Sequence, residues 1–267
     1  MLVLISPAKT LDNETPSRTK KVSMPQFLDQ SEKLVGVLKK YNSKKLSSLM
    51  SISDKLADLN VDRFKTWQAD FDINSARPSI QAFRGDVYVG LDADTMSMSD
   101  IRFAQKQLRI LSGLYGVLKP LDLMLPYRLE MGTSLKTTRG RNLYDFWGDQ
   151  ITQSLNADLA KHGDQSVVNL ASNEYFKSVN KKILQGNLIS PVFKDEKNGN
   201  YKVISFFAKK ARGAMARYLI DERLESTDAV NAFSSLGYRY NKKASTEEQP
   251  VFLRTEKVAM KFSPAAA

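Results

Sequence analysis

The chain has 267 residues, 42% of them hydrophobic, and a formal net charge of +11; that length supports a sizeable core in one large domain or two small ones, and no clear linker divides it. With no cysteine and a single histidine, it cannot form disulfides, iron–sulfur clusters or thiolate zinc sites, nor carry out thiol peroxidase chemistry. No apolar stretch approaches the ~20 residues of a membrane span, and no basic segment with an apolar core opens the chain, so a cytoplasmic protein without a membrane partner is expected.

Leu2-Val3-Leu4-Ile5 reads as a short buried strand. It runs into Ser6-Pro7-Ala8-Lys9-Thr10, a loop at a strand's carboxyl end, where ligands often bind. The loop lacks the glycines of a phosphate-cradling motif, so it also reads as a turn fixed by Pro7 with Lys9 exposed. Residues 26 to 69 read as successive helices behind Pro25, with Ser43 and Ser53 as N-caps and Leu34, Val37 and Leu38 at helical spacing. Asp86 to Gly90 reads as a strand. Ser99 to Leu111 reads as a helix capped by Ser99, with Ala104, Leu108 and Leu111 on one face.

Leu111-Ser112-Gly113-Leu114-Tyr115-Gly116 is similar to the hairpin of helix-hairpin-helix DNA-binding motifs, in which two glycines let backbone N–H groups approach a phosphate. Pro120 stands four residues after Gly116 and would break a second helix. The hexapeptide therefore also reads as a glycine-capped helix end followed by a tight turn.

Arg139-Gly140-Arg141 is a basic turn, and Leu143 to Lys161 continues as an amphipathic helix through Phe146, Ile151 and Leu155, with Tyr144 and Trp147 in the core. His162 marks that helix's end, with Gly163 as its cap. Neither a nucleophile elbow nor the Glu–His pairing of carboxylate di-iron sites accompanies it. No catalytic residue, metal ligand or cofactor is assigned.

Val167 to Ala171 reads as another buried strand, and Ser172 or Asn173 caps the short helix holding Tyr175, Phe176 and Lys177. Leu188 to Phe193 and Tyr201 to Phe207 flank Asn198-Gly199, a strong hairpin signal. Gly237 to Tyr240 and Val251 to Arg254 form a last pair of strands, and residues from about 258 to 267 read as a frayed tail.

The charge is concentrated. Between Lys177 and Arg217 ten Lys or Arg residues face only Asp195 and Glu196, so 41 residues supply +8 of the net +11. Such a field steers polyanions to one region. Lys209, Lys210 and Arg212 follow the strand-like run to Phe207 and open a helical pattern ending near Leu224. Cations there oppose the helix dipole, and beside unpaired N–H groups they suit a phosphate. Ala211, Ala214, Met215, Tyr218 and Leu219 make that helix's apolar stripe.

Four separated strings, Leu4 to Asp12, Leu111 to Gly132, Asn169 to Lys177 and Phe206 to Gly213, together resemble the YaaA family of bacterial peroxide-stress proteins over nearly the whole chain. The resemblance implies a cytoplasmic protein, induced under peroxide stress, that limits iron-dependent oxidative damage to DNA. It further implies one α+β domain over residues 1–267 of unusual topology. That domain would have a mixed sheet with surrounding helices, a basic cleft and a helix-hairpin-helix-like element suited to DNA.

Without cysteine the chain is ill-equipped to destroy peroxide itself, so protection is expected through binding. The leading reading is a monomer that binds double-stranded DNA, distorted or damaged duplexes included, by backbone and shape. Lys9, Lys119, Lys177, Lys181, Lys182, Lys209, Lys210, Arg212 and Arg217 would neutralise phosphates, and Gly113 and Gly116 would donate backbone N–H groups. The alternative is an enzyme acting on a nucleotide or other phosphorylated small molecule, with Lys9, Lys177, Lys209 and Lys210 converging near strand ends and one lysine desolvated as a nucleophile. A third reading is an iron-lowering factor that works through a protein partner.

Overall fold

Four apolar residues, Leu2 to Ile5, are buried to 2% exposure or less and form the middle strand of the molecule. A strand covered on both faces reads as a continuous apolar run, the pattern of a parallel sheet. The computed structural model describes residues 1–262. In chain order these form β1 (Leu2–Ile5), β2 (Thr10–Leu11), α1 (Leu28–Leu38), α2 (Ser43–Met50), α3 (Asp54–Thr66), β3 (Arg77–Pro78), α4 (Ser79–Ala82), β4 (Phe83–Arg84), α5 (Asp86–Leu91), α6 (Met98–Gln107), β5 (Leu108–Ser112) and β6 (Gly116–Leu118). There follow β7 (Leu123–Met124), α7 (Leu143–Trp147), α8 (Gln150–Leu159), β8 (Ser166–Leu170), α9 (Asn173–Phe176), β9 (Asn187–Ile189), β10 (Val192–Lys197), β11 (Asn200–Lys202), α10 (Ser205–Asp221), β12 (Arg239–Tyr240), β13 (Val251–Arg254) and α11 (Glu256–Met260).

The central sheet has the order β6-β5-β1-β8-β9, parallel from β5 through β9, with β6 antiparallel at one edge. A second sheet, β11-β10-β13-β12, mixes parallel and antiparallel pairs. Two small ladders, β2 with β4 and β3 with β7, complete a mixed α/β domain with helices around its sheets. No helix among the described residues is long and apolar enough to cross a membrane.

Several segments depart from their sequence-based reading. Asp86 to Gly90 lies in helix α5, not a strand: Gly85, at φ 140°, precedes it, and Val87, Tyr88 and Leu91 bury one helical face. A run as short as Val87-Tyr88-Val89 fits either structure, and packing decides. Helix α6 starts earlier than expected, because Ser97 and Asp100 form a capping box, and it ends at Gln107. Leu108 to Ser112 becomes a strand with all five residues buried. The expected long helix from Leu143 is split into α7 and α8 at Gly148, whose φ of 47° and ψ of −125° lie outside the helical region.

Asn198 and Gly199, both at positive φ, make the expected turn, but the first strand of the hairpin is Val192–Lys197, Leu188 and Ile189 belonging to β9 of the central sheet, while the second strand stops at Lys202 and α10 begins at Ser205. Lys209, Lys210 and Arg212 therefore lie in the second and third turns of the helix, not at its N-terminus. The apolar stripe on α10 is wider than one face, because Gly213 and Ala216 are buried beside Ala211, Ala214, Met215 and Leu219. Within the expected frayed tail, residues 258 to 260 are helical, with Ala259 buried, and Lys261 and Phe262 form a turn; residues 263 to 267 lie outside the described residues.

The hexapeptide at 111–116 is the turn of a β-hairpin between β5 and β6, closed by Ser112 opposite Gly116. No helix flanks it on its carboxyl side, as Pro120 foreshadows. Both glycines are needed for packing. A Cβ on Gly113 would collide with the Leu129 carbonyl, and a Cβ on Gly116, which has φ 68°, would lie 2.8 Å from the Trp147 ring. Trp147 is fully buried and donates its indole N–H to the Gly113 carbonyl at 3.0 Å.

Candidate anion-binding site

The loops leaving β1 and β8, adjacent parallel strands, meet at the carboxyl edge of the central sheet. Ser172 N–H donates to Ser6 Oγ at 2.8 Å, and the two hydroxyls lie 3.4 Å apart. Tyr88 of α5 donates to the Ser6 carbonyl at 3.1 Å. Ser172 also caps α9, accepting from the Tyr175 N–H. These bonds fix the floor of a cavity of about 490 Å³ lined by residues of five segments. A crevice outside the carboxyl ends of parallel strands is where open α/β sheets hold ligands.

Helix α10 forms one wall. It can lie this close because two glycines face each other's helices: a Cβ on Gly213 would strike the Val87 carbonyl, and one on Gly90 would strike the Lys210 carbonyl. The tight contact with α5 brings Lys209 and Arg212 to the cavity. Burial alone pushes the Arg212 guanidinium below its ordinary pKa, and no carboxylate among the described residues stands beside it to offset this. An arginine stays protonated even so. Its donors face the cavity without a protein acceptor among the described residues.

The other cations of the lining are engaged. Lys9 pairs with Glu130 at 2.8 Å, Arg128 meets the same carboxylate at 3.4 Å, and Arg84 is held by Asp12 at 3.0 Å and Asp94 at 3.2 Å. Glu174 accepts from the Gly132 N–H at 2.9 Å. Beneath lie Tyr88, Tyr127 and Tyr175, whose phenols burial raises above the ordinary tyrosine value, with neighbouring phenols adding to the effect. They remain neutral hydrogen-bonding groups; the Tyr127 hydroxyl is hydrogen-bonded to Ser112 Oγ at 2.6 Å.

Of the residues singled out from the sequence, the cavity gathers Lys9, Lys209 and Arg212. Lys177 lies outside it, its ammonium 4.8 Å from the Tyr144 ring centre, and Lys181 lies over Phe176 at 5.6 Å, with Lys182 exposed nearby. Lys210 and Arg217 line a shallower groove on another side of α10, where Arg217 is tied to Asp221 and to the Asp92 carbonyl, both at 2.8 Å, and to Thr95. Lys119 is at the amino edge of the sheet, 3.7 Å from Asp158. Gly113 and Gly116 are enclosed by Leu129, Trp147 and Phe27.

Sequence reading missed Arg84, Arg128, Asp86, Glu130, Glu174 and the two serines as lining residues. A signal for most of them existed. Ser6 and Lys9, Arg128 and Glu130, Ser172 and Glu174, Lys209 and Arg212 come in pairs from the four strings that carry the family resemblance, and the fold brings all four strings to one cavity.

The fold and site define a mixed α/β protein with a cation-lined cleft at the carboxyl ends of its central strands. Residues 1–244 match the family model described as peroxide stress protein YaaA. The chain is 59% identical over 256 residues to a UPF0246 protein of Shewanella piezotolerans, covering 96% of this chain and 100% of that one, and 58% identical over 256 residues to a UPF0246 protein of Shewanella pealeana with the same coverage. The chain belongs to the YaaA family of peroxide-stress proteins.

Proposed function

We propose that this peroxide-stress protein binds DNA through its sugar–phosphate backbone, largely independently of sequence, and thereby limits iron-dependent oxidative damage to it. The observation that carries the reading is Arg212, half-buried beside Lys209 in the cleft lining and without a protein acceptor among the described residues. A half-buried cation without a counter-charge attracts an anionic ligand that supplies one. The stretch from Lys177 to Arg217 carries +8 of the net charge, and its cations outside the cleft would add long-range attraction. Neutralising DNA phosphates releases the cations condensed on them, and ferrous ions held there would be released with the rest. That would move the reaction of iron with peroxide away from the bases.

The test is fluorescence anisotropy on unrelated duplexes over a salt series. Log K is expected to fall by roughly 0.9 per log unit of salt for each neutralised phosphate, so several contacts give a slope of several units. Arg212→Gln and Lys209→Gln should each reduce that slope by about one. A flat salt dependence, or no binding at low salt, overturns the reading.

A further inference from the structure

Duplex DNA contacts a surface, yet the cleft is a recess. Its volume of about 490 Å³ falls in the ~300–1,000 Å³ range of pockets that enclose a small molecule. A duplex can lie across such a mouth, and only a single unit can enter it.

The lining specifies what kind of unit. Arg212 and Lys209 offer a phosphate site on one wall. Pro7, Val87, Tyr127, Leu129 and Tyr175 supply apolar and aromatic surface elsewhere in the same cavity. Asp86, Glu130 and Glu174 also line it; Lys9 and Arg128 neutralise Glu130, and Asp86 and Glu174 disfavour further anionic groups beyond one phosphate. They accept hydrogen bonds from amino groups and sugar hydroxyls. The ligand therefore carries one phosphate, an aromatic or apolar body, and donors.

We infer that the cleft is a nucleotide pocket, holding the phosphate of one nucleoside monophosphate unit on Arg212 and Lys209 and its base among the tyrosines and carboxylates. This rests on reading the cleft as a phosphate site. The unit is either a free nucleotide or one extruded from a strand, as in proteins that flip a base out of the stack. A base bearing an exocyclic amino group is preferred over thymine, because Asp86 and the second carboxylate oxygen of Glu174 can accept from a donor.

The experiment is calorimetric titration of the full chain with dAMP, dTMP, deoxyadenosine and inorganic phosphate, together with duplex anisotropy and the fluorescence of 2-aminopurine placed in a duplex. The pocket requires dAMP to bind one per chain, about tenfold or more tighter than phosphate alone or deoxyadenosine, and to be weakened about tenfold or more by Arg212→Gln. Lys209 is exposed, so Lys209→Gln provides a second variant whose folding is secure; it should weaken dAMP in the same direction. If duplex binding competes with dAMP and 2-aminopurine brightens, the strand supplies the nucleotide; if dAMP binds and 2-aminopurine stays dark, the free nucleotide is the ligand. If phosphate alone binds as tightly as dAMP, or dAMP does not bind while the duplex does, the pocket inference is overturned and the DNA reading stands. If dAMP binds and duplexes do not, the DNA reading fails and the pocket remains.

Discussion

Gly116 illustrates how one residue can be read in two ways until its surroundings are known. Beside Gly113 it resembles a backbone phosphate donor, but its φ of 68° makes it a packing glycine, as do the Trp147 and Phe27 rings, which would stand 2.8 and 3.1 Å from a Cβ at that position. A β-branched residue there is both strained at positive φ and overpacked against two aromatics. Gly116→Val is expected to lower stability by about 3 kcal/mol or more, read as a shift in the urea midpoint. Because the cleft is built elsewhere, the folded fraction of that variant should keep the parent's DNA affinity. A folded, fully stable variant that has lost DNA binding would return the hairpin to a direct role.

At the scale of elements, α10 joins the two sheets to the cleft. Its middle packs on α5 through Gly213, and its first turn is held by the second sheet: Arg254 of β13, only 3% exposed, lies 4.5 Å from the Phe207 ring and 4.4 Å from the Tyr238 ring. Asp195 of β10 completes the arrangement, accepting from Arg254 at 2.6 Å and from the Tyr238 hydroxyl at 2.7 Å. Burial, with that bond to Asp195, pushes the Tyr238 phenol far above its ordinary value, so it serves as a donor throughout the accessible pH range. Removing one partner of a buried ion pair strands the other charge and typically costs about 3–5 kcal/mol. Asp195→Asn should do so, seen in urea unfolding, and should loosen α10 one turn from Lys209. Arg254→Lys is no substitute, because a lysine ammonium does not reproduce a guanidinium that donates to Asp195 while lying against two rings.

Across the whole molecule the two edges of the central sheet are built differently. The carboxyl edge has an unpaired arginine. At the amino edge Arg109, 3% exposed, is paired to Asp158 at 2.8 Å, with Lys161 at 3.0 Å and Lys119 at 3.7 Å on the same carboxylate. Burial works to raise the Asp158 pKa, but Arg109 and the two lysines outweigh it and hold the carboxyl below its ordinary value. A carboxylate with a depressed folded pKa contributes stability above its unfolded value, about 3.9, and that contribution is lost as pH falls below it. Urea unfolding of the parent and of Asp158→Asn should therefore differ most near neutral pH, with the gap closing below about pH 4. An unchanged gap at acid pH would mean that Asp158 acts by shape and not by charge. The strands β1 and β8, the cap at Ser172, the Asn198-Gly199 hairpin and the concentration of charge were all legible in the sequence, because each is set by local periodicity, backbone preference or composition. The helix at Asp86, the strand at Leu108, the break at Gly148 and the true start of α10 were not, because short apolar runs fit either structure until their neighbours are in place. Residue types alone pointed to an anion and to no thiol chemistry. Which charged groups meet was decided only by tertiary structure, since Lys9, Arg128, Glu174 and Arg212 are far apart along the chain and converge only when parallel strands bring their loops to one edge and two glycines let α10 close against α5.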